Sequence, residues 1–299
     1  MYSDKRPKVI VEFGSNSVKI MQIHSLKAQP QKDFRVPLRL AAELQPSGNL
    51  SEHAISSMIA QIQEVHRQYS QSSDIRIFGT QALRQAQNRQ DIVKRIKQET
   101  SYPLHILSIQ EEAEAAFRGI QSGMKLQGKV LCFDIGGAST EIVIASEKGS
   151  PKSQSFPIGA VNLSRNFYKH QPIRICEYNF MTAYISEQLR LKPFKRSISL
   201  IGTGGSVVTC AKVALGLPQI QEDKVNCFRL RKSELMRQIQ TYRAMKSQDI
   251  AKIPGMDPAR ADVILPACMI MYRLMDIFGQ EEIIVSSRGV RHGLVSMEV

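Results

Sequence analysis

The sequence predicts a duplicated α/β fold, in which two similar halves flank a cleft. Strand-like and helix-like patterns alternate along the first third of the chain, as expected where helices cover a sheet. The layout of residues 9–23 is then repeated at residues 130–145. A length of 299 residues is enough for two domains of about 150 residues each, and a cleft between two halves is a common ligand site.

The first third begins with two short apolar strands that are joined by a tight turn, Gly14–Ser17. Ser51–Tyr69 predicts an amphipathic helix, because its apolar residues recur on one stripe. The elements predicted in this part are strands at 9–13 and 18–23, the helix at 51–69, a strand at 75–78, helices starting at 80 and 91, a strand ending near 108 and a helix at 111–120.

A second hairpin follows the plan of the first. A shift of 122 positions superimposes a strand that ends in a carboxylate, a turn with glycine and serine, and a second strand. Two short segments can match by chance, but both turns also carry residues suited to phosphate binding, which favours duplication. The matched pairs are Glu12 and Asp134, Gly14 and Gly136, Ser15 and Gly137, and Ser17 and Ser139.

The second half predicts a strand at Ile198–Ile201, which leads into the turn Gly202–Ser206 and an apolar helix. Asp257 and Pro258 form a helix-opening pair, and we expect Pro266 to kink or split the helical region that follows. The remaining predicted elements are a surface helix at 233–243, a strand at 281–285 and a closing helix at 289–297.

The charge of the chain favours a polyanionic partner. Forty Lys and Arg against 27 Asp and Glu give a net charge of +13, which suits nucleic acid, anionic lipid or a phosphorylated substrate. Aromatic residues make up only 6% and Trp is absent, which argues against a protein that stacks bases of single strands.

Five scattered cysteines without a Cys-x-x-Cys pair indicate reduced thiols rather than a zinc site. With no signal-peptide core and no sufficiently long apolar run, we expect a cytoplasmic protein without a membrane partner.

Three glycine-bearing turns are candidates for binding phosphate. Glycine lets the backbone approach an oxyanion closely, so that N–H groups and hydroxyls converge on it. Any one of these turns alone is more often an ordinary hairpin, and neither a P-loop nor a dinucleotide fingerprint is present. The candidate residues are Gly14, Ser15, Asn16 and Ser17; Gly136, Gly137, Ser139 and Thr140; and Gly204, Gly205 and Ser206.

Carboxylates accompany these turns. Asp134 and Glu141 are placed to face each other across a hairpin and share a divalent cation, and Glu12 is the equivalent of Asp134 in the first hairpin. Mg²⁺ is typically bound by one or two carboxylates with waters and substrate phosphates. Solvation of strand ends is the alternative interpretation. Glu111 and Glu112 open a helix, where acids also favour the helix dipole.

Seven short motifs follow one another along nearly the whole chain. They are residues 9–17 (VIVEFGSNS), 79–88 (GTQALRQAQN), 107–113 (LSIQEEA), 133–141 (FDIGGASTE), 156–163 (FPIGAVNL), 201–206 (IGTGGS) and 288–294 (RGVRHGL). In this order they resemble successive signatures of the exopolyphosphatase/guanosine pentaphosphate phosphohydrolase family.

This resemblance implies an actin-like fold, with two ribonuclease-H-like domains around an interdomain cleft. The implied domains are residues 1–122 and 123–287, with a helix at about 288–299 packing back on the first domain. The lack of any His-Asp pair indicates the short, two-domain form of the family. The resemblance also implies a homodimer.

The resemblance further implies hydrolysis of a terminal phosphoanhydride, assisted by Mg²⁺ or Mn²⁺. The substrate would be inorganic polyphosphate or guanosine pentaphosphate, with the tetraphosphate as a related ligand. Glu112 matches the base that activates water, and Arg84 matches an arginine at the phosphate site. Asp134 and Glu141, with Glu12, match the acidic positions around the metal, and the three turns match phosphate loops.

Three departures from the family pattern leave other functions open. Glu12 replaces an aspartate, Ala138 replaces a third glycine of the second loop, and Ile109 replaces a glycine before the base. Ala138 and Ile109 favour a non-catalytic sensor of polyphosphate or an alarmone in the same cleft. An actin-like small-molecule kinase is a third candidate, and nucleic-acid binding is the interpretation of the charge alone.

Overall fold

The computed structural model describes residues 6–146, 149–192 and 198–297. The described residues form two compact units: a first unit of residues 6–122 and 290–297, and a second unit drawn from residues 123–289. Each has a mixed β-sheet. The strands are β1 Lys8–Phe13, β2 Ser17–Ile23, β3 Lys32–Pro37, β4 Asp74–Gly79, β5 Leu104–Ile106, β6 Val130–Ile135, β7 Thr140–Ser146, β8 Gly149–Phe156, β9 Ser199–Thr203, β10 Arg229–Arg231 and β11 Glu282–Val285.

Helices cover these sheets, and short 3₁₀ turns lie at Leu40–Ala42 and Pro258–Arg260. The helices are α1 Glu52–Tyr69, α2 Gln81–Gln85, α3 Arg89–Thr100, α4 Ile109–Gly123, α5 Ala160–Phe167, α6 Ile175–Gln188, α7 Gly205–Leu215, α8 Glu222–Val225, α9 Lys232–Arg243, α10 Ser247–Ile250, α11 Ile264–Phe278 and α12 Val290–Leu294.

The sheet of the first unit has the strand order β3-β2-β1-β4-β5. β1 pairs antiparallel with β2 and parallel with β4. One face packs against α1 and α3, and the other packs against α4 and α12. Helix α1 begins where Ser51 Oγ accepts a hydrogen bond from Ala54 N at 3.1 Å, and its apolar stripe is buried as predicted.

The sheet of the second unit repeats this order with one added strand, because β8-β7-β6-β9-β11 follows the same path and β10 extends it. The first turn is closed by Gly14 N donating to Ser17 O at 3.0 Å, and the second by Gly136 N donating to Ser139 O at 2.9 Å. The internal repeat predicted from the sequence is therefore confirmed, both in the turns and in the sheet topology.

The helical region that opens at Asp257 is divided, as expected, into the 3₁₀ turn Pro258–Arg260 and α11, but Pro266 does not kink α11 itself. α11 runs unbroken from Ile264 to Phe278, and Pro266 is its third residue. The first turn of a helix has no N–H groups bonded within the helix, so the missing N–H of proline costs nothing there. Strands β3 and β8 and helices α5 and α6 have no counterpart among the predicted elements. Among the described residues, no helix is both long and apolar enough to cross a bilayer.

Candidate functional site

The first glycine turn is held from outside by the segment after β3. Leu38 N and Arg39 N donate to Asn16 O at 3.2 and 2.9 Å, and Ala41 N donates to Ser15 O at 2.9 Å. Within the described residues, the N–H groups of Ser15 and Asn16 donate no hydrogen bond. A rigid turn that keeps successive backbone donors for a ligand is suited to an anion.

The second turn is held in a similar way by the start of α5. Ala160 N donates to Gly136 O at 3.0 Å, and Val161 N donates to Gly137 O at 2.8 Å. The N–H groups of Gly137 and Ala138 likewise donate no hydrogen bond to any described residue. Thr140 is fully buried and donates through Oγ1 to Ile158 O at 2.7 Å, so this hydroxyl supports the turn.

Asp134 and Glu141 are directly opposite each other in the β6–β7 ladder. Opposed residues of an antiparallel pair project from the same face of the sheet, so the predicted juxtaposition of the two carboxylates is present. Glu141 is buried, and its Oε1 accepts hydrogen bonds from Ser139 Oγ at 2.5 Å and Ser155 Oγ at 2.9 Å. Sequence analysis did not identify Ser155, which lies on the neighbouring strand β8.

The third turn brings glycine against Asp134. Gly204 has φ +92° and ψ 165°, a conformation that is nearly confined to glycine. A Cβ at this position would overlap Asp134 Oδ1. Gly204 therefore has both a conformational and a steric reason to be glycine, and its backbone lies beside one of the two facing carboxylates.

Arg260 adds a cation to this turn. A Cβ on Gly205 would overlap the Arg260 guanidinium, and Arg260 Nη1 lies 3.5 Å from Ser206 Oγ. Arg260 Nε is also 3.3 Å from Asp257 Oδ2. Sequence analysis assigned Asp257 and Pro258 only a helix-capping role, because the approach of residue 260 to residue 205 depends on tertiary packing.

In the first hairpin, the residue opposite the strand-end carboxylate is a lysine instead of a glutamate. Glu12 is buried and lies opposite Lys19, whose Nζ is 2.6 Å from Glu12 Oε1. Shifted by 122 positions, Lys19 corresponds to Glu141. An ammonium group thus already neutralises Glu12, whereas Asp134 has a second carboxylate opposite it. The proposed metal role of Glu12 stays a prediction, and Lys19 would have to give way to a bound cation.

The donor set of the second hairpin fits a divalent cation. Two facing carboxylates beside a turn with unused backbone N–H groups match the preference of Mg²⁺ for a few protein oxygens completed by water and phosphate. Among the described residues, no group of three or more His, Cys, Asp and Glu side chains is placed to bind a metal on its own. Asp134 and Glu141 are therefore the residues that would bind Mg²⁺ or Mn²⁺.

Glu112 is a buried acid of the first unit, at the start of α4. Arg84 Nη1 donates to Glu112 Oε2 at 2.5 Å and to Leu107 O at 2.8 Å. The two side chains are only 12% and 16% exposed. The arginine therefore holds the carboxylate in one orientation and ties it to the chain just before the helix.

The neighbouring acids have other functions. Glu111 Oε2 accepts from Ser108 N at 2.7 Å, while Ser108 Oγ accepts from Glu111 N at 3.1 Å, which is a capping box. Burial raises the pKa of the Glu111 carboxyl, but hydrogen bonds from Ser108 and His105 outweigh it, and the pKa lies below its usual range. Glu114 accepts from Gln110 on the exposed face. Glu111 therefore caps the start of α4, where an acid also favours the helix dipole.

Asn88, four residues after Arg84, has partners outside the site. Asn88 Oδ1 accepts from Leu50 N at 2.9 Å, and Asn88 Nδ2 donates to Leu50 O at 3.1 Å. The amide of Asn88 therefore holds a backbone segment, whereas Arg84 contacts Glu112.

Two departures from the family pattern do not disturb the site. Within the described residues, positive φ outside glycine occurs at Arg39, Ser101 and Cys227, so Ala138 carries no such strain. Ile109 is the first residue of α4 and is 46% exposed. One turn later, Glu112 N donates to Ser108 O at 3.0 Å, so the helix carrying Glu112 begins normally.

Comparison with known proteins places this geometry in context. The sequence profile of the Ppx/GppA phosphatase family matches residues 19–299. The chain is 27% identical to a bifunctional 3-dehydroquinate synthase/phosphatase of Fusobacterium nucleatum, over 95% of this chain and 45% of that protein. It is 25% identical to a guanosine-5'-triphosphate,3'-diphosphate pyrophosphatase of Vibrio parahaemolyticus, over 95% of this chain and 58% of that protein. It thus spans about half the length of these two relatives.

A solved structure has the same fold. The crystal structure of the Aquifex aeolicus member of the Ppx/GppA family superimposes with a TM-score of 0.84 at 26% identity, covering 97% of each chain. The predicted fold class, two actin-like α/β domains of the ribonuclease-H type, is confirmed by this match and by the repeated strand order.

Proposed function

Because the chain belongs to the Ppx/GppA phosphatase family, we propose that it hydrolyses a terminal phosphoanhydride bond, in inorganic polyphosphate or at the 5'-γ-phosphate of guanosine pentaphosphate. The observation that carries the proposal is the buried Glu112 carboxylate, which Arg84 holds in place at 2.5 Å. A carboxylate that is oriented by an arginine and largely shielded from solvent is suited to accept a proton from an attacking water.

The chain's own residues would act mainly by positioning and charge. Glu112 would orient the water and accept its proton, while Arg84 keeps the carboxylate in one orientation. The backbone N–H groups of the turns at 14–17 and 136–140 would bind phosphate oxygens, with the turn at 204–206 as a third contact. Such preorganised donors stabilise the charge that develops in phosphoryl transfer. A divalent cation bound by Asp134 and Glu141 would supply neutralisation of the charge on the phosphate oxygens.

The structure around Ala138 and Ile109, the two residues that favoured a non-catalytic sensor, supports hydrolysis over binding alone. Ala138 has no positive φ, and the helix that begins at Ile109 presents Glu112 in contact with Arg84. Neither residue provides a reason for lost activity.

The net charge of +13 favours long polyphosphate over a single nucleotide, because a longer polyanion gains more from a basic surface. Homodimer formation and a cytoplasmic location remain predictions.

The test is release of phosphate from long-chain polyphosphate and from guanosine pentaphosphate, each with Mg²⁺ and with EDTA. We expect metal-dependent release from at least one substrate. Glu112→Gln should lower kcat about 10²–10⁴-fold with little change in Tm, because glutamine still offers an oxygen to Arg84.

Glu114→Gln is the matched control, since it makes the same chemical change on the exposed face of the same helix and should leave kcat unchanged. Near-wild-type turnover of Glu112→Gln would remove Glu112 from the reaction. Absence of release by the wild-type protein from both substrates would contradict the proposed activity itself.

A further inference from the structure

Arg39 occupies an unusual backbone position beside the first glycine turn. It has φ 51° and ψ 41°, in the left-handed region that side chains with a Cβ avoid. Its N–H donates to Asn16 O at 2.9 Å, and the next residue, Leu40, is fully buried. The backbone at Arg39 is thus fixed against the turn on one side and against the core on the other.

The position itself does not require arginine. Glycine or asparagine adopts this conformation at lower cost, so the hydrogen bonds to the turn give no reason for a long charged side chain. The other described non-glycine residues with positive φ are Ser101, at the C-cap of α3, and Cys227. A left-handed residue is ordinary at a helix end, whereas Arg39 lies beside a turn in which the N–H groups of Ser15 and Asn16 donate no hydrogen bond to any described residue.

The side chain of Arg39 is exposed, and it forms no ion pair or hydrogen bond with any described residue. The neighbouring cation at this turn, Lys19, is already paired with Glu12. Ser15 and Asn16 are themselves half-exposed, and Arg39 N donates directly to Asn16 O, so the Arg39 side chain begins beside a solvent-accessible part of the turn. A guanidinium binds phosphate oxygens through two parallel N–H groups, which gives both charge and direction.

We propose that Arg39 is a substrate-binding residue, whose guanidinium contacts a phosphoryl group of the phosphoanhydride held at the turn Gly14–Ser17. The inference rests on the proposed function for the identity of the ligand, a linear phosphoanhydride. Because Arg39 is exposed and touches no other proposed active-site side chain, it binds ground state and transition state alike. Such uniform binding changes KM and leaves kcat unchanged.

The decisive variant is Arg39→Gly. It removes the guanidinium and also the energetic cost of a side chain in the left-handed region. We expect KM for sodium tripolyphosphate and for long-chain polyphosphate to rise about tenfold, the usual scale for one lost charge-assisted contact, with kcat within about twofold. Tm should equal the wild-type value or exceed it by up to about 4 °C. Arg39→Lys, which restores a point charge without the planar fork, should recover part of the lost affinity.

Ser101→Gly is the matched control, because Ser101 is also a left-handed residue of the first unit, at the end of α3. The glycine removes the same backbone cost there without removing a charge. It should leave both KM and kcat at wild-type values. An unchanged KM in Arg39→Gly would overturn the inference. So would a fall in Tm together with a loss of kcat, because that pattern belongs to a structural role.

A binding measurement separates this inference from the proposed function. Calorimetric titration of sodium tripolyphosphate with Mg²⁺ compares Glu112→Gln with the double variant Glu112→Gln/Arg39→Gly, and does not depend on turnover. A roughly tenfold weaker Kd in the double variant supports the role of Arg39 even if the wild-type protein releases no phosphate. Equal Kd values, or no binding to either protein, would refute it.

Discussion

The interaction between Gly204 and Asp134 provides a sharp test of the site's construction. Gly204→Ala adds one methyl group at a position with φ +92°, where the new carbon overlaps Asp134 Oδ1. Either the carboxylate moves or the turn before α7 changes its path. In both cases the arrangement of Asp134 opposite Glu141 is disturbed.

The expected magnitude has two parts. A side chain in this backbone region costs about 1–3 kcal/mol, and inserting a carbon into occupied space costs about 1–3 kcal/mol more. Together they predict a loss of about 2–6 kcal/mol in the free energy of unfolding, which for a domain of this size is a fall of about 5–20 °C in Tm. A carboxylate displaced by about 1 Å lowers kcat about 100-fold when it helps to position the reacting groups.

Gly216→Ala separates the backbone cost from the clash. Gly216 has φ 64° at the C-cap of α7, and an added Cβ would meet no atom within 4 Å. It should cost about 1 kcal/mol, or 2–4 °C in Tm, with kcat unchanged. Differential scanning calorimetry and phosphate release are measured on both variants. Equal Tm losses in the two, or a wild-type kcat for Gly204→Ala, would refute the role assigned to the contact with Asp134.

Two further predictions concern the first unit. Glu111→Ala should lower stability by about 1 kcal/mol at pH 7 by removing the capping box, while Glu114→Ala has little effect. The pKa of Glu111 is lowered in the folded state. Its stabilisation is therefore present above the unfolded carboxyl pKa of about 4.3 and is lost as pH falls through the lower folded pKa. Urea unfolding should show a stability difference between Glu111→Ala and the wild-type protein at pH 7, and none once Glu111 is protonated. Lys19→Met leaves the buried Glu12 without its ammonium partner and should lower the free energy of unfolding by about 2 kcal/mol. Arg67→Met is the control at an exposed ion pair and should lower it by less than about 0.5 kcal/mol. Equal losses of stability in the two variants would contradict the pairing of Lys19 with Glu12.

The parts of the fold that could be predicted are those where local sequence and packing agree. The stripe of α1 and its Ser51 cap follow from helical spacing and capping chemistry alone. The edge strands could not be found in this way, because β8 reads GSPKSQSF and lacks apolar alternation. It is specified by pairing with β7. Pro266 shows the same limit, since its effect depends on where the helix begins, and this is set by the preceding turn.

The candidate site divides in a similar way. Asp134 and Glu141 were predictable because a tight hairpin fixes which residues are opposed. Ser155 and Arg260 reach the site from segments 14 and 54 positions away in the chain, and no local pattern marks such approaches. Lys19 is a different case: the 122-residue shift that aligned the two turns also aligned it with Glu141, so the sequence already contained the signal.

That alignment explains how two copies of one hairpin differ in chemistry. Both copies keep the turn, its closing hydrogen bond and a carboxylate at the end of the first strand. They differ at the opposed position, where Lys19 faces Glu12 and Glu141 faces Asp134. The opposed residue therefore distinguishes the two copies: the first hairpin holds an acid opposite an ammonium group, and the second holds an acid opposite an acid.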